Sequence, residues 1–542
     1  RFMRKVENCI QALHDQQTHR VPAGDDGLRV ARATGFEDFS AFELALENTR
    51  TGVQLLFEQS LPKLPGPVDE KNPWHAYWQS IRLGRLEEDP DFAGWKPLLA
   101  FVKRLNRLAL SQRAARRLDQ FMPALLEQID NMSPTEAVVD RVLDLVSAIC
   151  RRSAYLSLLV QNPDASKRML ELFAASARVA QAVTRYPALL DELIDPSLGA
   201  YPPGKKDIQA GAQRILERSI DTETTLQDLN YFKQVISLRI AVAILQSTMS
   251  VFEARCTLSW LAQTLVQATL KLSQHEMIAR HGRLPGPELA VIAYGSLGAC
   301  ALGFDSDLDI IFLYQPTSTP SYGDRSVSAE RYHTGVARRM LSLLSATTPS
   351  GRLYSIDARL RPNGRAGLLV SSVDAFRRYQ MEEAWVWELQ ALTRARPVAG
   401  NKEISEKFLT IRKKALTASR DKTLIKEEIL AMRERLRIEH GDTVSLKHGP
   451  GGLLDVEFVV QLGLLLNADS FPELVVSTEL TEQLRALRDC GWLDENRFNT
   501  LDGAYTQLSQ VQQRSTLVHD SLDLDNTVFL DSARALCEDI LR

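Results

Sequence analysis

The chain is 542 residues long, 44% hydrophobic and 25% charged, the make-up of a soluble globular protein with room for three or four domains at roughly 150 residues each. Its 65 basic and 68 acidic residues leave a formal charge of −3, so bulk electrostatics give no reason to expect nucleic acid as a partner. No stretch reaches the roughly 18–20 apolar residues that span a bilayer, so no membrane is expected, and six scattered cysteines without C-x-x-C argue against zinc and a disulfide framework and fit a reducing cytoplasm.

The chain opens on Arg1-Phe2-Met3-Arg4, already inside an amphipathic pattern, and reads as a fragment of a longer protein cut just upstream. Residues 1–60 read as helices, with Val6, Cys9, Ile10 and Leu13 on one face. The proline-rich run from Leu61 to Val68, with Pro73 behind it, breaks that pattern, so residues 61–75 read as a linker. Helical periodicity returns over 76–280, clearest in Met169, Leu172, Phe173, Val179, Ala180 and Val183. Breaks at Asn162-Pro163, Tyr186-Pro187 and Tyr201-Pro-Pro-Gly204 suggest a bundle or stack of helices. Near residue 289 the period changes. Leu289–Tyr294, Leu308–Tyr314 and Arg352–Leu360 read as three strands, with a loop over Gln315–Asp324 and a helix over 328–346. From about 372 the pattern reads as helical to the end, apart from a loop at Gly441–Gly452. The fold class is therefore mainly α with one embedded α/β unit over 281–400 and a C-terminal helical bundle over 401–542. His14-Asp15 and His519-Asp520 form a faint internal echo.

The chemistry concentrates between residues 294 and 361. Tyr294-Gly-Ser-Leu-Gly298 ends the first strand, and Asp307-Leu-Asp309 opens the second. Side chains alternate along a strand, so Asp307 and Asp309 share a face. Two adjacent carboxylates repel, and a hard divalent cation is the usual compensation. Gly295 and Ser296 can bring backbone N–H groups and a hydroxyl to a phosphate. Along the third strand Asp357, Arg359 and Arg361 also share a face, a third carboxylate beside two phosphate-neutralising guanidiniums. Carboxylates for metal beside a phosphate-holding turn are what phosphoryl and nucleotidyl transfer require. Further along, Trp385 and Trp387 read as core packing on a helix with Glu388. Arg394 and Arg396 either reach a triphosphate or close an exposed helix end. Lys447 precedes the Gly449-Pro-Gly-Gly452 turn and is a candidate nucleotide contact, with Asp455 and Glu457 just after it. His333 and His448 read as satisfied structural histidines.

The run Gly295-Ser-Leu-Gly-Ala-Cys-Ala-Leu-Gly-Phe-Asp-Ser-Asp-Leu-Asp-Ile-Ile-Phe resembles the nucleotidyltransferase signature of the glutamine synthetase adenylyltransferases. The likeness continues in Asp357-Ala-Arg-Leu-Arg-Pro-Asn-Gly-Arg-Ala-Gly-Leu-Leu-Val370, in Glu383-Ala-Trp-Val-Trp-Glu-Leu-Gln-Ala-Leu-Thr-Arg-Ala-Arg-Pro-Val398 and in Gly451-Gly-Leu-Leu-Asp-Val-Glu-Phe458. Where that family often has Gly-Lys-Leu-Gly-Gly, this chain has Gly295-Ser-Leu-Gly-Ala299, with the serine of the wider nucleotidyltransferase superfamily.

The resemblance implies a polymerase-beta-like catalytic fold flanked by helical bundles. It also implies transfer of AMP from ATP to a tyrosine of glutamine synthetase, in nitrogen regulation. The long Trp-x-Trp-Glu stretch is similar to the adding half of a two-headed enzyme, so residues 1–60 would be the tail of the removing half and 76–280 a regulatory region. Asp307, Asp309 and Asp357 would hold two Mg²⁺ ions, with Gly295, Ser296, Arg359, Arg361 and Lys447 on the nucleotide. Glutamine synthetase, the PII signalling protein and glutamine as effector are the partners it implies. A uridylyltransferase acting on PII, and a non-catalytic regulatory module, remain as alternatives.

Overall fold

A computed structural model describes residues 24–60, 72–85, 94–108, 110–218, 220–440, 445–518 and 528–541, with residue 92 and scattered positions between 2 and 22. Most of the 61–75 linker and both histidine–aspartate pairs lie outside the described residues. The chain parts into two compact units, one of residues 1–88, 108–131 and 150–166, the other of 89–107, 132–149 and 167–542.

In the first unit the N-terminal stripe is a core. Val6, Ile10, Val30, Ala31, Phe42 and Leu46 are buried together, with Phe2, Phe36 and Phe39 packed against them. Phe42 meets Phe2 and Phe36 edge-on at centroid distances of 6.4 and 5.9 Å, the arrangement ring quadrupoles favour. Pro73 is the first residue of the helix Pro73–Arg82, capped by the Asn72 side chain on the Trp74 N–H. Proline suits that place because its missing N–H would have had no partner in the first turn.

The second unit contains the α/β part and most of the helices. Pro187 again begins an element, the 3₁₀ helix Pro187–Ile194. Met169, Leu172, Phe173, Val179, Ala180 and Val183 are all buried. The longest helix, Val251–His281, starts at a capping box in which the Ser250 N–H donates to Glu253 at 2.9 Å and the Glu253 N–H donates back to Ser250 Oγ at 3.2 Å. It stops at Gly282, whose φ of 71° lies in the left-handed region.

The sheet is mixed and small: β1 (Ala290–Ala293), β2 (Leu308–Tyr314), β3 (Ile356–Asp357), β4 (Val370–Ser372) and β5 (Arg396–Gly400). β1 lies between β2 and β5, antiparallel to both, while β3 and β4 pair in parallel with the start and the end of β2. Ala290, Ile292, Tyr294, Ile311 and Leu313 belong to one large core shared with the C-terminal helices. Alternation then turns Val291, Ile310 and Phe312, also buried, toward the opposite face.

Three expectations need correction. The third strand, expected over Arg352–Leu360, is only Ile356–Asp357, because Asp357 Oδ1 accepts the Arg359 N–H at 2.8 Å and turns the chain. The stretch beyond 372 is not uniformly helical, since β5 returns to the sheet edge between the helices Val386–Leu392 and Lys402–Leu416. Trp385 and Trp387 are not core residues: they are 64% and 38% exposed, and the buried face of that short helix is Val386, Leu389 and Leu392.

Candidate active site

The turn Gly295–Gly298 follows β1 directly, and its glycines answer to contact. Gly295 has a φ of 54°, and a Cβ there would lie 2.1 Å from Asp309 Oδ2. At Gly298 a Cβ would lie 2.0 Å from the Arg394 carbonyl oxygen. The back of the turn is clamped, since Arg396 Nε donates to the Gly298 carbonyl at 3.0 Å, Thr478 Oγ1 to the same oxygen at 2.8 Å, and an Arg396 Nη to the Leu297 carbonyl at 3.1 Å. Arg396 thus belongs to β5 and to the scaffold of the turn.

In front of the turn lies a cleft of about 420 Å³, within the range of small-molecule sites. From the sheet it is lined by Ser296, Asp307, Asp309 and Asp357, and from the connecting loop by Phe304 and Asp305. Opposite stand Lys447, Leu453, Leu454 and Glu457, with Gln512, Gln513 and Thr516 of the helix Glu495–Val518 and Arg255 of the long helix. Asp309 and Asp357 are direct cross-strand neighbours in the β2–β3 register. Burial first, then the Asp357 and Asp307 charges, push the Asp309 carboxyl up to about 6, with Arg394 and Lys447 pulling the other way.

Of the residues singled out from sequence, Ser296, Asp307, Asp309, Asp357 and Lys447 line this one cleft. Gly295 supports it from behind, through its contact with Asp309. The two arginines do not extend from a strand face as expected, because the chain turns at Asp357. Arg359 folds back on Asp357, its Nε 2.7 Å from Oδ2. Arg361 is turned into its own loop, Nε donating to the Gly367 carbonyl at 3.2 Å and Nη1 to that of Ala358 at 2.5 Å, and it does not line the cleft.

Other residues emerge only from the fold. Arg394 is ion-paired to Glu457 at 2.5 Å. Burial, the largest single effect, would lower its pKa, but the Glu457 charge and hydrogen bond together with the Tyr505 and Asp309 charges more than offset this and hold the guanidinium charged beside Asp309. Arg178 grips Asp305 with two bonds of 2.6 and 2.7 Å, two positions before Asp307, and its guanidinium lies 5.0 Å from the Phe304 ring centroid. Arg255 donates to the Ala301 carbonyl at 3.1 Å and to Ser509 Oγ at 2.6 Å, tying the loop to the helix that faces it. Asp455 does not face the cleft. It is buried against Arg433 at 2.6 and 2.7 Å and accepts the Gly451 N–H at 2.8 Å, which fixes the turn behind Lys447.

Among the described residues no group of three or more His, Cys, Asp and Glu side chains is posed to hold a metal ion. At this site the Asp357 carboxylate is paired with Arg359. The donor set still fits a hard divalent cation, because Asp307, Asp309 and Asp357 border one cleft and, after burial, the Asp357 and Asp307 charges add to the rise in the Asp309 pKa. Among the described residues no helix is long and apolar enough to cross a membrane.

Comparison with known proteins gives the same placement. The profile of the family described as glutamate-ammonia ligase adenylyltransferase matches residues 166–411, the whole sheet and the helices leading into it. That of the PII-uridylyltransferase family matches residues 1–61 and 423–533, on either side of the sheet in the chain. Proteins named bifunctional glutamine synthetase adenylyltransferase/adenylyl-removing enzyme are 37% identical in Xanthomonas campestris pv. campestris and Xanthomonas axonopodis pv. citri, in each case over 95% of this chain and 56% of the relative. The protein of that name from Thioalkalivibrio sulfidiphilus is 34% identical over 98% of this chain and 58% of its own length. The chain thus spans a little over half the length of the curated relatives it matches, and it belongs to the glutamine synthetase adenylyltransferase family.

Proposed function

We propose that this chain transfers AMP from ATP to a tyrosine of glutamine synthetase, releasing pyrophosphate and lowering that enzyme's activity in nitrogen regulation. The observation that carries the reading is the joint placement of Asp307, Asp309 and Asp357 on one cleft with the Gly295–Gly298 turn behind them. Its target is supported by the names of the relatives.

Asp307, Asp309 and Asp357 would hold Mg²⁺, two ions in this reading. Bound there, Mg²⁺ would neutralise triphosphate charge and ease ionisation of a phenol whose ordinary pKa is about 10. The chain's own residues do the rest. Ser296 hydrogen-bonds a phosphate oxygen, and Lys447 supplies a cation from the opposite wall. Arg359 leaves Asp357 and turns to the phosphates, and Asp357 then receives the phenolic proton. A bond forms between the tyrosine oxygen and the α-phosphorus, and the bond from that phosphorus to the bridging oxygen of pyrophosphate breaks. Arg361 acts on the shape of the loop rather than on the nucleotide.

In this reading residues 1–60 are the tail of an upstream removing half, 61–75 a linker, 76–280 a regulatory region, 281–400 the catalytic domain and 401–542 its helical partner. The protein works in the cytoplasm under PII and glutamine. A second reading, a uridylyltransferase acting on PII, has the family match over 1–61 and 423–533 in its favour. The deciding experiment offers ATP or UTP, labelled at the α-phosphate, with glutamine synthetase or PII as acceptor. Label from ATP on glutamine synthetase alone supports the proposal; label from UTP on PII replaces it with the second reading.

A further inference from the structure

Beside the cleft, three cations gather around one acid. Arg178, in the helix Ala177–Arg185, holds Asp305 by two bonds of 2.6 and 2.7 Å. Lys233 comes from the helix Thr222–Leu245. Its Nζ donates to the Arg352 carbonyl at 3.3 Å and lies 4.5 Å from the Tyr354 ring centroid. Arg352 itself is exposed. Among the described residues no carboxylate is ion-paired with Lys233 or Arg352, so three cations face the single carboxylate of Asp305. Burial, then the Arg178 and Arg352 charges, push the Lys233 ammonium down to about 8, and Asp305 pulls the other way. At pH 7 most of it remains charged. A surface of one sign attracts and concentrates groups of the other.

The backbone beneath these cations is fixed. Thr348 and Gly351 exchange both of their backbone bonds, at 2.8 and 2.9 Å, just before Arg352, and the Tyr354 N–H donates to the Leu344 carbonyl at 2.9 Å. Position in the sheet then says which reactant the cluster meets. The strand order β3-β2-β1-β5 puts the Gly295–Gly298 turn, at the end of β1, on one side of β2 and Asp357, in β3, on the other. Arg352 and Tyr354 lead into β3, where the Leu308 N–H of β2 donates to the Ser355 carbonyl at 3.0 Å. Asp305 and Phe304, both in contact with Arg178, line the cleft. The cluster is therefore continuous with the cleft on its Asp357 side. In the transferase reading the phosphates lie toward the glycine turn and the acceptor hydroxyl toward Asp357, so the cluster meets the acceptor.

We propose that Arg178, Lys233 and Arg352 form a docking ledge for an acidic segment of the acceptor protein, the segment that carries the tyrosine to be modified. The tyrosine rests on the transferase reading; the acidic character rests on the charges of the ledge. Guanidiniums take carboxylates in paired bonds, and Arg178 already holds Asp305 in that way. Charge pairs of this kind speed encounter and set the register in which a partner docks.

The test uses the full chain in two arms. In the first, AMP transfer to glutamine synthetase is followed in wild type, Arg352→Ala and Arg352→Glu. The KM for the acceptor is expected to rise about tenfold in Arg352→Ala and further in Arg352→Glu, while the KM for ATP moves less than about twofold. A rise in the KM for ATP instead would assign the cluster to the nucleotide, and an unchanged acceptor KM would leave it without a partner; either result overturns the proposal. The second arm needs no transfer. It measures, without ATP or Mg²⁺, the fluorescence anisotropy of a labelled peptide with a tyrosine between glutamates and of its counterpart with glutamines. The glutamate peptide is expected to bind at least about tenfold tighter, to weaken with added salt, and to lose its advantage in Arg352→Glu and Lys233→Met. Arg352 is exposed, so its variants report on the ledge even if Lys233→Met does not fold. Equal binding of the two peptides, or binding of neither up to about 1 mM, would overturn the proposal. If the glutamate peptide binds as expected while wild type moves no AMP to glutamine synthetase, the transferase reading fails and the ledge stands.

Discussion

At the candidate cleft a glycine backbone comes close to a carboxylate. Gly295 lies where any Cβ would meet Asp309 Oδ2 at 2.1 Å, and its φ of 54° already disfavours other residues. Gly295→Ala is expected to cost about 1–2 kcal/mol of stability from the left-handed backbone. It should also lower transfer by at least about tenfold, because the carboxylate must move. Urea unfolding measured beside initial rates checks both. If the variant is destabilised but fully active, the close approach has no catalytic consequence. Asp307→Asn should instead keep the unfolding midpoint near that of wild type and abolish transfer. The aspartates and the glycine turn were legible in the sequence because alternation along a strand fixes which side chains share a face. The shared strand face expected of Arg359 and Arg361 fails for the same reason: the rule holds only while the strand lasts, and Asp357 ends it by bonding the next turn. Glu457 could not be paired with Arg394, nor Arg178 with Asp305, since each pair joins residues far apart in the chain.

At the scale of elements, buried cations tie the helices of the C-terminal part to one another. Arg412 is 3% exposed and reaches three carbonyls, those of Leu392, Thr393 and Val475, so one guanidinium closes the ends of two separate elements. No carboxylate pairs with it in these bonds, and burial pushes its pKa down to about 10. Arg412→Met leaves those carbonyls unmet and is expected to cost about 3 kcal/mol. The Arg433–Asp455 pair sits behind the Gly449–Gly452 turn in the same way, with side chains 10% and 5% exposed. Asp455→Ala should destabilise by about 3–5 kcal/mol, because the partner charge stays buried. Fluorescence titration with ATP should show weaker binding, since Lys447 loses its support; unchanged affinity would separate that turn from the nucleotide. The helices were readable from their apolar period and from the prolines that break it. β4 and β5 were not, since three to five residues are too few to show a period of two against helical neighbours.

For the molecule as a whole, His333 links stability to acid. Its folded-state pKa of about 4 lies below the ordinary 6.5, so between those values the unfolded chain binds a proton that the folded chain refuses. This contribution is fully present above about pH 6.5 and is lost as the pH falls toward 4, up to about 3 kcal/mol. Urea midpoints at pH 7 and 5 should differ less in His333→Phe than in wild type. An equal difference would assign the acid sensitivity to other groups. The cleft itself is tested by following two labels of ATP onto purified, unmodified glutamine synthetase with Mg²⁺. The α-phosphate label should appear on a tyrosine and the γ-phosphate label should not, and Asp307→Asn should transfer neither while remaining folded. Transfer of the γ-label, or α-label transfer undiminished in Asp307→Asn, would contradict the transferase reading.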